Sequence, residues 1–180
     1  MIIQAFLRWA ETAKASDRAR AANALGRAWL QSEVDGEERE AALLAMTWLL
    51  DDPSPKVRLA LAEALADSEN APRCLVLPLA ADQPEIASHI IARSPVLTDV
   101  DLVDLAAQGD AVTRALIASR FVVSQPVCAA IAEIGGEVEV ATMLSNPGAV
   151  VSRMSLRRIA ERFSQDAEIR ELLLEREELP

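Results

Sequence analysis

The chain has 180 residues, 51% of them hydrophobic, enough apolar material for one large core or for a row of small units. Its net charge of -10, from 18 Lys and Arg against 28 Asp and Glu, repels a phosphate backbone and argues against nucleic acid as a partner. Aromatic residues make up only 3% and Tyr is absent, while Ala and Leu dominate, a balance that disfavours strands.

In chain order, helix-start signals recur. No apolar run approaches the ~20 residues of a membrane helix. The opening "MIIQAFLRWAETAK" carries an acid and no small-residue cleavage site, so a secretory signal is not expected and the cytoplasm is the expected compartment. Ser16-Asp17 precedes an Ala-rich run, and Asp35-Gly36 precedes "EEREAALLAMTWLL". Ser54-Pro55 opens "KVRLALAEALA", and Ala71-Pro72 opens "RCLVLPLA", which Pro78 should kink or end early. Asp82-Gln83-Pro84 precedes "EIASHIIA", and Thr98 with Asp101 has the spacing of a capping box. Ser124 with Pro126, Asn146-Pro147-Gly148, Ser152 and Ser164 continue the series. Side-chain oxygens at these positions accept orphan amides, and Pro in a first turn forfeits no hydrogen bond. About twelve short helices result, and the fold class is all-α. "FVVS" at 121–124, the nearest thing to a strand, falls where a link between helices is expected.

The apolar pattern repeats. At an offset of 26, Ile86, Ile90, Ile91, Val96 and Leu97 fall on Val112, Leu116, Ile117, Val122 and Val123; Thr98, Leu102, Leu105 and Gly109 fall on Ser124, Cys128, Ile131 and Gly135. A third copy places Met143 on Ile117 and, after two extra residues, Ser152 on Ser124 and Ile159 on Ile131. An earlier copy begins near Val57. Apolar positions keep their character while exposed ones drift, as in stacked helix pairs, so a right-handed α-solenoid is expected, with Ile86, Ile90, Ile91, Leu97, Leu102, Leu105 and their partners at offset 26 buried. Leu179 and Pro180 align with Leu97 and Thr98, a helix start, so the chain is expected to be cut from a longer protein, leaving Leu172, Leu173 and Leu179 partly exposed.

The stretch "DDPSPKVRLALAEALADSENAPRCLVLPLAADQPEIASHIIARSPVLTDVDLVDLAAQGD", with "MLSNPGAVVSRMSLRRIAERF" and "LEREELP", resembles a bacterial helical-repeat family catalogued as domain of unknown function 2336. The resemblance spans roughly residues 10–180, is weak over 1–50, and implies HEAT-like repeats in a longer chain. It brings no catalytic residues. The organisation expected is an N-terminal helical cap at 1–50 and one continuous HEAT-like solenoid at 51–180.

Chemistry-bearing patterns are sparse. His89 is the single histidine, too few for the paired His-Glu motifs of HEAT-like hydroxylases, and no CxxC or Gly-rich phosphate loop occurs. Neither metal nor cofactor is expected. Cys74 and Cys128 lie in apolar runs and read as two buried thiols. Trp9, Trp29 and Trp48 all fall in the first 48 residues and read as an end cap or as a partner or dimer surface. Arg153, Arg157, Arg158 and Arg162 crowd one helix, either as a solvated face paired with Glu161, Asp166 and Glu168 or as a docking site for an acidic or phosphorylated partner. Asp99, Asp101 and Asp104, with Asp67, Glu69 and Asp82, are the opposite candidate, read either as solvated helix starts or as a patch for a basic partner.

The function expected is a non-enzymatic scaffold or adaptor in bacterial regulation, holding a protein or peptide through Arg153, Arg157 and Arg158 or through the Trp set. A homodimer is one version of that reading; nucleic acid and membrane are not expected. A HEAT-like DNA-repair glycosylase is the alternative, disfavoured by charge and by only three Phe. A purely structural segment of a longer chain is the other.

Overall fold

The computed structural model describes residues 2–31 and 36–177, and every structured element in them is helical. Twelve helices occur among the described residues, and the chain divides into two compact units, Met1–Leu97 and Thr98–Pro180.

The first unit contains α1 (Ile2–Thr12), α2 (Ala15–Gln31), α3 (Glu37–Leu49), α4 (Pro55–Leu65), α5 (Arg73–Ala80) and α6 (Pro84–Arg93). Helices alternate between two layers: α1 packs on α3 and α3 on α5, while α2 packs on α4 and α4 on α6. The apolar phase read from the sequence points between the layers, where Val57, Leu61, Leu65, Leu75, Leu79, Ile86 and Ile90 are all fully buried. Closing the α2–α4 seam requires Gly26, since a Cβ there would lie 2.8 Å from that of Ala64. Pro55 and Pro84 occupy first turns. Pro78 sits inside α5, which ends two residues later after only eight.

The second unit contains α7 (Asp99–Gln108), α8 (Ala111–Ala118), α9 (Gln125–Ile134), α10 (Glu137–Ser145), α11 (Arg153–Arg162) and α12 (Ala167–Glu177). Here α7, α9 and α11 pack side by side in one layer, and α8, α10 and α12 in the other. The Thr98–Asp101 capping box forms as expected, and Ser152 accepts from the Ser155 amide. Two caps differ. Asp166, not Ser164, accepts the Ile169 amide at the start of α12, and Ala15 already begins α2 ahead of Ser16. The 121–124 segment is a link, joined to the next by an isolated parallel bridge between Val123 and Ala149. Val123 donates to the Gly148 carbonyl at 3.0 Å and accepts from Val150 at 2.9 Å. A Cβ on Gly148 would stand 1.9 Å from the Phe121 oxygen, so this contact needs glycine.

Most matched positions are buried: Ile91, Leu97, Leu102, Ile117, Val123, Cys128, Ile131, Met143 and Ile159. Leu105 and Leu116 are half-buried, and Val112 is 61% exposed, against expectation. The cause is Arg114. Its guanidinium turns inward to Glu139 at 3.1 Å and to the Gly109 carbonyl at 2.8 Å, so α8 presents the Arg114–Ile117 side and Val112 faces water. Cys74 is exposed, because α5 buries Leu75, Val76 and Leu79, leaving Cys74 on the far side with Leu77; only Cys128 is buried. Leu172 and Leu173 are half-buried, while Leu179 and Pro180 lie outside the described residues, as does Asp35.

Arginine clamps across the inter-helix links recur in both units. Arg18 grips Asp52 through two hydrogen bonds of 2.6 and 3.0 Å, and Arg58 grips Asp82 at 2.7 and 3.1 Å while donating to the Asp52 carbonyl at 2.6 Å. Arg162 donates to the carbonyls of Ala132 and Gly135. Arg176 gathers those of Leu144, Ala149, Met143 and Asn146. These carbonyls lie in the last turns of helices or in links, where the regular ladder of helix amides ends, and a guanidinium supplies several donors at once.

Candidate functional site

α11 is set by its cap and by its apolar phase. Ser152 fixes its start, and Ser155 and Ile159 point inward, which leaves positions 153, 154, 157, 158 and 161 outward. Met154 is 82% exposed at the centre of this face, with Arg157 and Arg158 one turn away. Arg157 pairs with Glu161 on its own helix at 3.1 Å, and Arg158 pairs with Glu133 of α9 at 2.9 Å. Both pairs are solvent-exposed and contribute little to stability, so these guanidiniums can be redirected at small cost. Among the described residues the Arg153 guanidinium makes no ion pair or hydrogen bond. Arg162 stands apart, turned inward to carbonyls and lying 4.8 Å over the Phe163 ring. The structure thus brings Arg153, Arg157 and Arg158 onto one exposed face with Met154, a residue that the charge pattern alone does not single out.

The three tryptophans are not one cluster. Trp9 on α1 is 41% exposed and tilts against Phe6, and Trp48 on α3 is 38% exposed with Leu44 one turn before it at 60%. Since α1 packs on α3, these two share a layer. Trp29 lies on α2, half-buried, with the Arg39 guanidinium 3.8 Å over its ring and its indole nitrogen buried without a hydrogen-bond partner among the described residues.

The acidic set divides as well. Asp82 is spent on Arg58, and Asp67 pairs with Arg93 at 3.1 Å; with Glu69 they belong to the first unit. Asp99 and Asp104 are exposed on α7, and Asp101 holds the Thr98 cap. Burial alone would push the Asp52, Asp82 and Glu139 carboxyls up, but the paired guanidiniums and local amides more than offset it and hold all three below their ordinary values. Cys128 is the reverse case: burial pushes its thiol up to about 11, so it stays protonated and inert at neutral pH. His89 is half-buried with Nδ1 3.0 Å from Arg93. Among the described residues no three His, Cys, Asp or Glu side chains gather as a metal-binding group, and no helix is long and apolar enough to cross a membrane. A groove of about 630 Å³ runs over the alanines between α2 and α4, and another of about 450 Å³ lies between α10 and the start of α12.

Residues 86–180 match the profile of an uncharacterised protein family conserved in bacteria (DUF2336). The chain belongs to this family. No curated protein and no solved structure matches it. The DUF2336 match takes in α7 to α12 and most of α6, and so includes Arg153, Met154, Arg157 and Arg158. Residues 1–85, with all three tryptophans, lie outside it, a shorter reach than the resemblance over 10–180 implies.

Proposed function

We propose that this DUF2336 protein is a non-catalytic protein-binding module, a scaffold or adaptor in bacterial regulation. The observation that carries the reading is the outward face of α11, where an 82%-exposed Met154 is ringed by three arginines whose existing pairs are weak or absent. An apolar anchor inside a guanidinium rim suits a protein surface that offers carboxylates around an apolar side chain. Layered helix pairs of the HEAT-like kind hold such a face rigidly, which limits the ordering cost of binding. Binding is assigned to the α11 face ahead of the Trp9, Trp29 and Trp48 surface because α11 lies in the family-matched part of the chain.

The test is affinity capture with the whole chain and with its Arg153→Ala, Arg157→Ala, Arg158→Ala variant, read by mass spectrometry. A protein held by the wild type and lost by the variant, at unchanged circular dichroism, supports the assignment. Identical captured sets overturn it and move the binding surface to the tryptophans.

A further inference from the structure

The α11 face has a counterpart in its own layer. α7, α9 and α11 each begin directly after a Thr or Ser cap, so their residues can be compared by position from the helix start. At the first position stand Asp99, Gln125 and Arg153; at the second, Val100, Pro126 and Met154; at the sixth, Asp104, Ala130 and Arg158. α7 packs on α9 and α9 on α11, so these three rows cross the layer side by side. The parallel bridge between Val123 and Ala149, just before α9 and α11, keeps those two helix starts together. Along the first and sixth rows the charge passes from acid through neutral to base. Along the second it stays apolar, and both ends are open to solvent, Val100 at 70% and Met154 at 82%. Val122 and Val150, from the links entering α9 and α11, add exposed apolar surface at the same ends of the helices.

The placement of Arg153 needs an explanation outside the fold. A cation at the first position of a helix opposes the macrodipole, where Asp99 in the equivalent place of α7 favours it. Arg153 gains no compensating contact among the described residues. A local rule broken without an internal return points to a contact made elsewhere.

A surface acidic at one edge, apolar along the middle and basic at the other is complementary to itself after a half-turn. We infer that the α7–α9–α11 layer is an isologous dimer face, on which α11 of one copy lies against α7 of the second and the reverse holds across the axis. Arg153 and Arg157 then meet Asp99 and Asp104 of the other copy, while Met154 and Val100 cover each other near the α9 of both. The inference rests on reading the α11 face as a protein-binding surface, and it names the occupant as a second copy of this chain.

The experiment is sedimentation of the whole chain with two charge-reversed variants, Arg153→Glu with Arg157→Glu, and Asp99→Lys with Asp104→Lys. Arg158 is left in place because it pairs with Glu133, and Asp101 because it caps α7. The wild type is expected to run at twice 19.4 kDa, and to dissociate in about 1 M salt, where the screening length falls to ~3 Å. Each variant alone sets like charges opposite each other and should raise the dimer dissociation constant roughly a hundredfold. Mixed in equal amounts, the two variants should restore a one-to-one dimer, a recovery that misfolded chains cannot give. A wild type that stays monomeric at about 100 μM, a concentration at which a micromolar contact would be filled, overturns the inference; the broader binding reading then stands or falls on capture of a different protein. A dimer indifferent to both reversals, a mixture that stays monomeric, or growth beyond two copies also overturns it.

Discussion

Removal of Asp52 should be among the most damaging single changes in the first unit. Its side chain is fully buried, accepts two hydrogen bonds from Arg18 and one from the Ser54 amide, and faces Arg58 as well. Asp52→Ala leaves the Arg18 guanidinium, only 14% exposed, without its counter-charge. Breaking one side of a buried ion pair costs ~3–5 kcal/mol, and the residual exposure of Arg18 places this case at about 3. Asp52→Asn keeps the shape and the acceptor oxygen but loses the charge, so about 1–2 kcal/mol is expected. Arg18→Met alone strands the carboxylate and should cost about as much as Asp52→Ala. Combined with Asp52→Asn it should recover much of that loss, with a coupling of roughly 2 kcal/mol. All three tryptophans belong to the first unit, so urea unfolding followed by Trp fluorescence reports on this unit specifically. A loss below about 1 kcal/mol for Asp52→Ala, or strictly additive effects, would show that the clamp does not hold the α4 entry and would refute the reasoning.

Other outcomes follow from the same geometry. Ile117→Ala, at a fully buried site, should cost ~2–5 kcal/mol, while Val112→Ala and Glu137→Ala at exposed sites should each stay within about 0.5; far-UV circular dichroism in urea compares them. Asp52, Asp82 and Glu139 have folded-state values below their unfolded ones, so their stabilisation is complete above the ordinary carboxylate range and is lost as pH falls through the lowered values. Melting temperature should therefore be flat from neutral pH to about 5 and fall below about 4; a loss beginning near neutrality would contradict this. A thiol reagent should label Cys74 rapidly in the native chain and Cys128 only on unfolding, as quantified by peptide mass spectrometry.

Helix starts were the most legible part of the sequence, because capping is local: Thr98 with Asp101 and Ser152 with its own first turn decide their geometry within four residues. The apolar phase was legible wherever neighbouring copies bury the same side, as at Ile91 and Ile117. It misled at Val112 because carrying the pattern of α6 onto α8 ignores Arg114, whose partner Glu139 lies 25 residues on. The other clamps were illegible for the same reason, with 34 residues between Arg18 and Asp52 and 24 between Arg58 and Asp82. The available signal was an arginine on the inward side of an Ala-rich helix. Cys74 was misplaced because in "RCLVLPLA" nearly every residue is apolar, so composition cannot say which side of so short a helix faces out.

The link between α10 and α11 holds seven residues, 146–152, against six in its predecessor, 119–124, yet the helices on either side keep their pattern. The extra length is folded back on itself: Asn146 holds the carbonyls of Ala118 and Arg120 at 2.8 Å each, its own Oδ1 takes the Gly148 amide, and Gly148 lies against Phe121. Helix spacing in this layer is therefore set by grips on the carbonyls and not by the number of residues between helices. A gene for such a chain can gain or lose a codon or two in these links without throwing the following helix out of phase, provided the gripping side chain survives. Insertions and deletions should accumulate at the joints, and the helices they connect should keep their length.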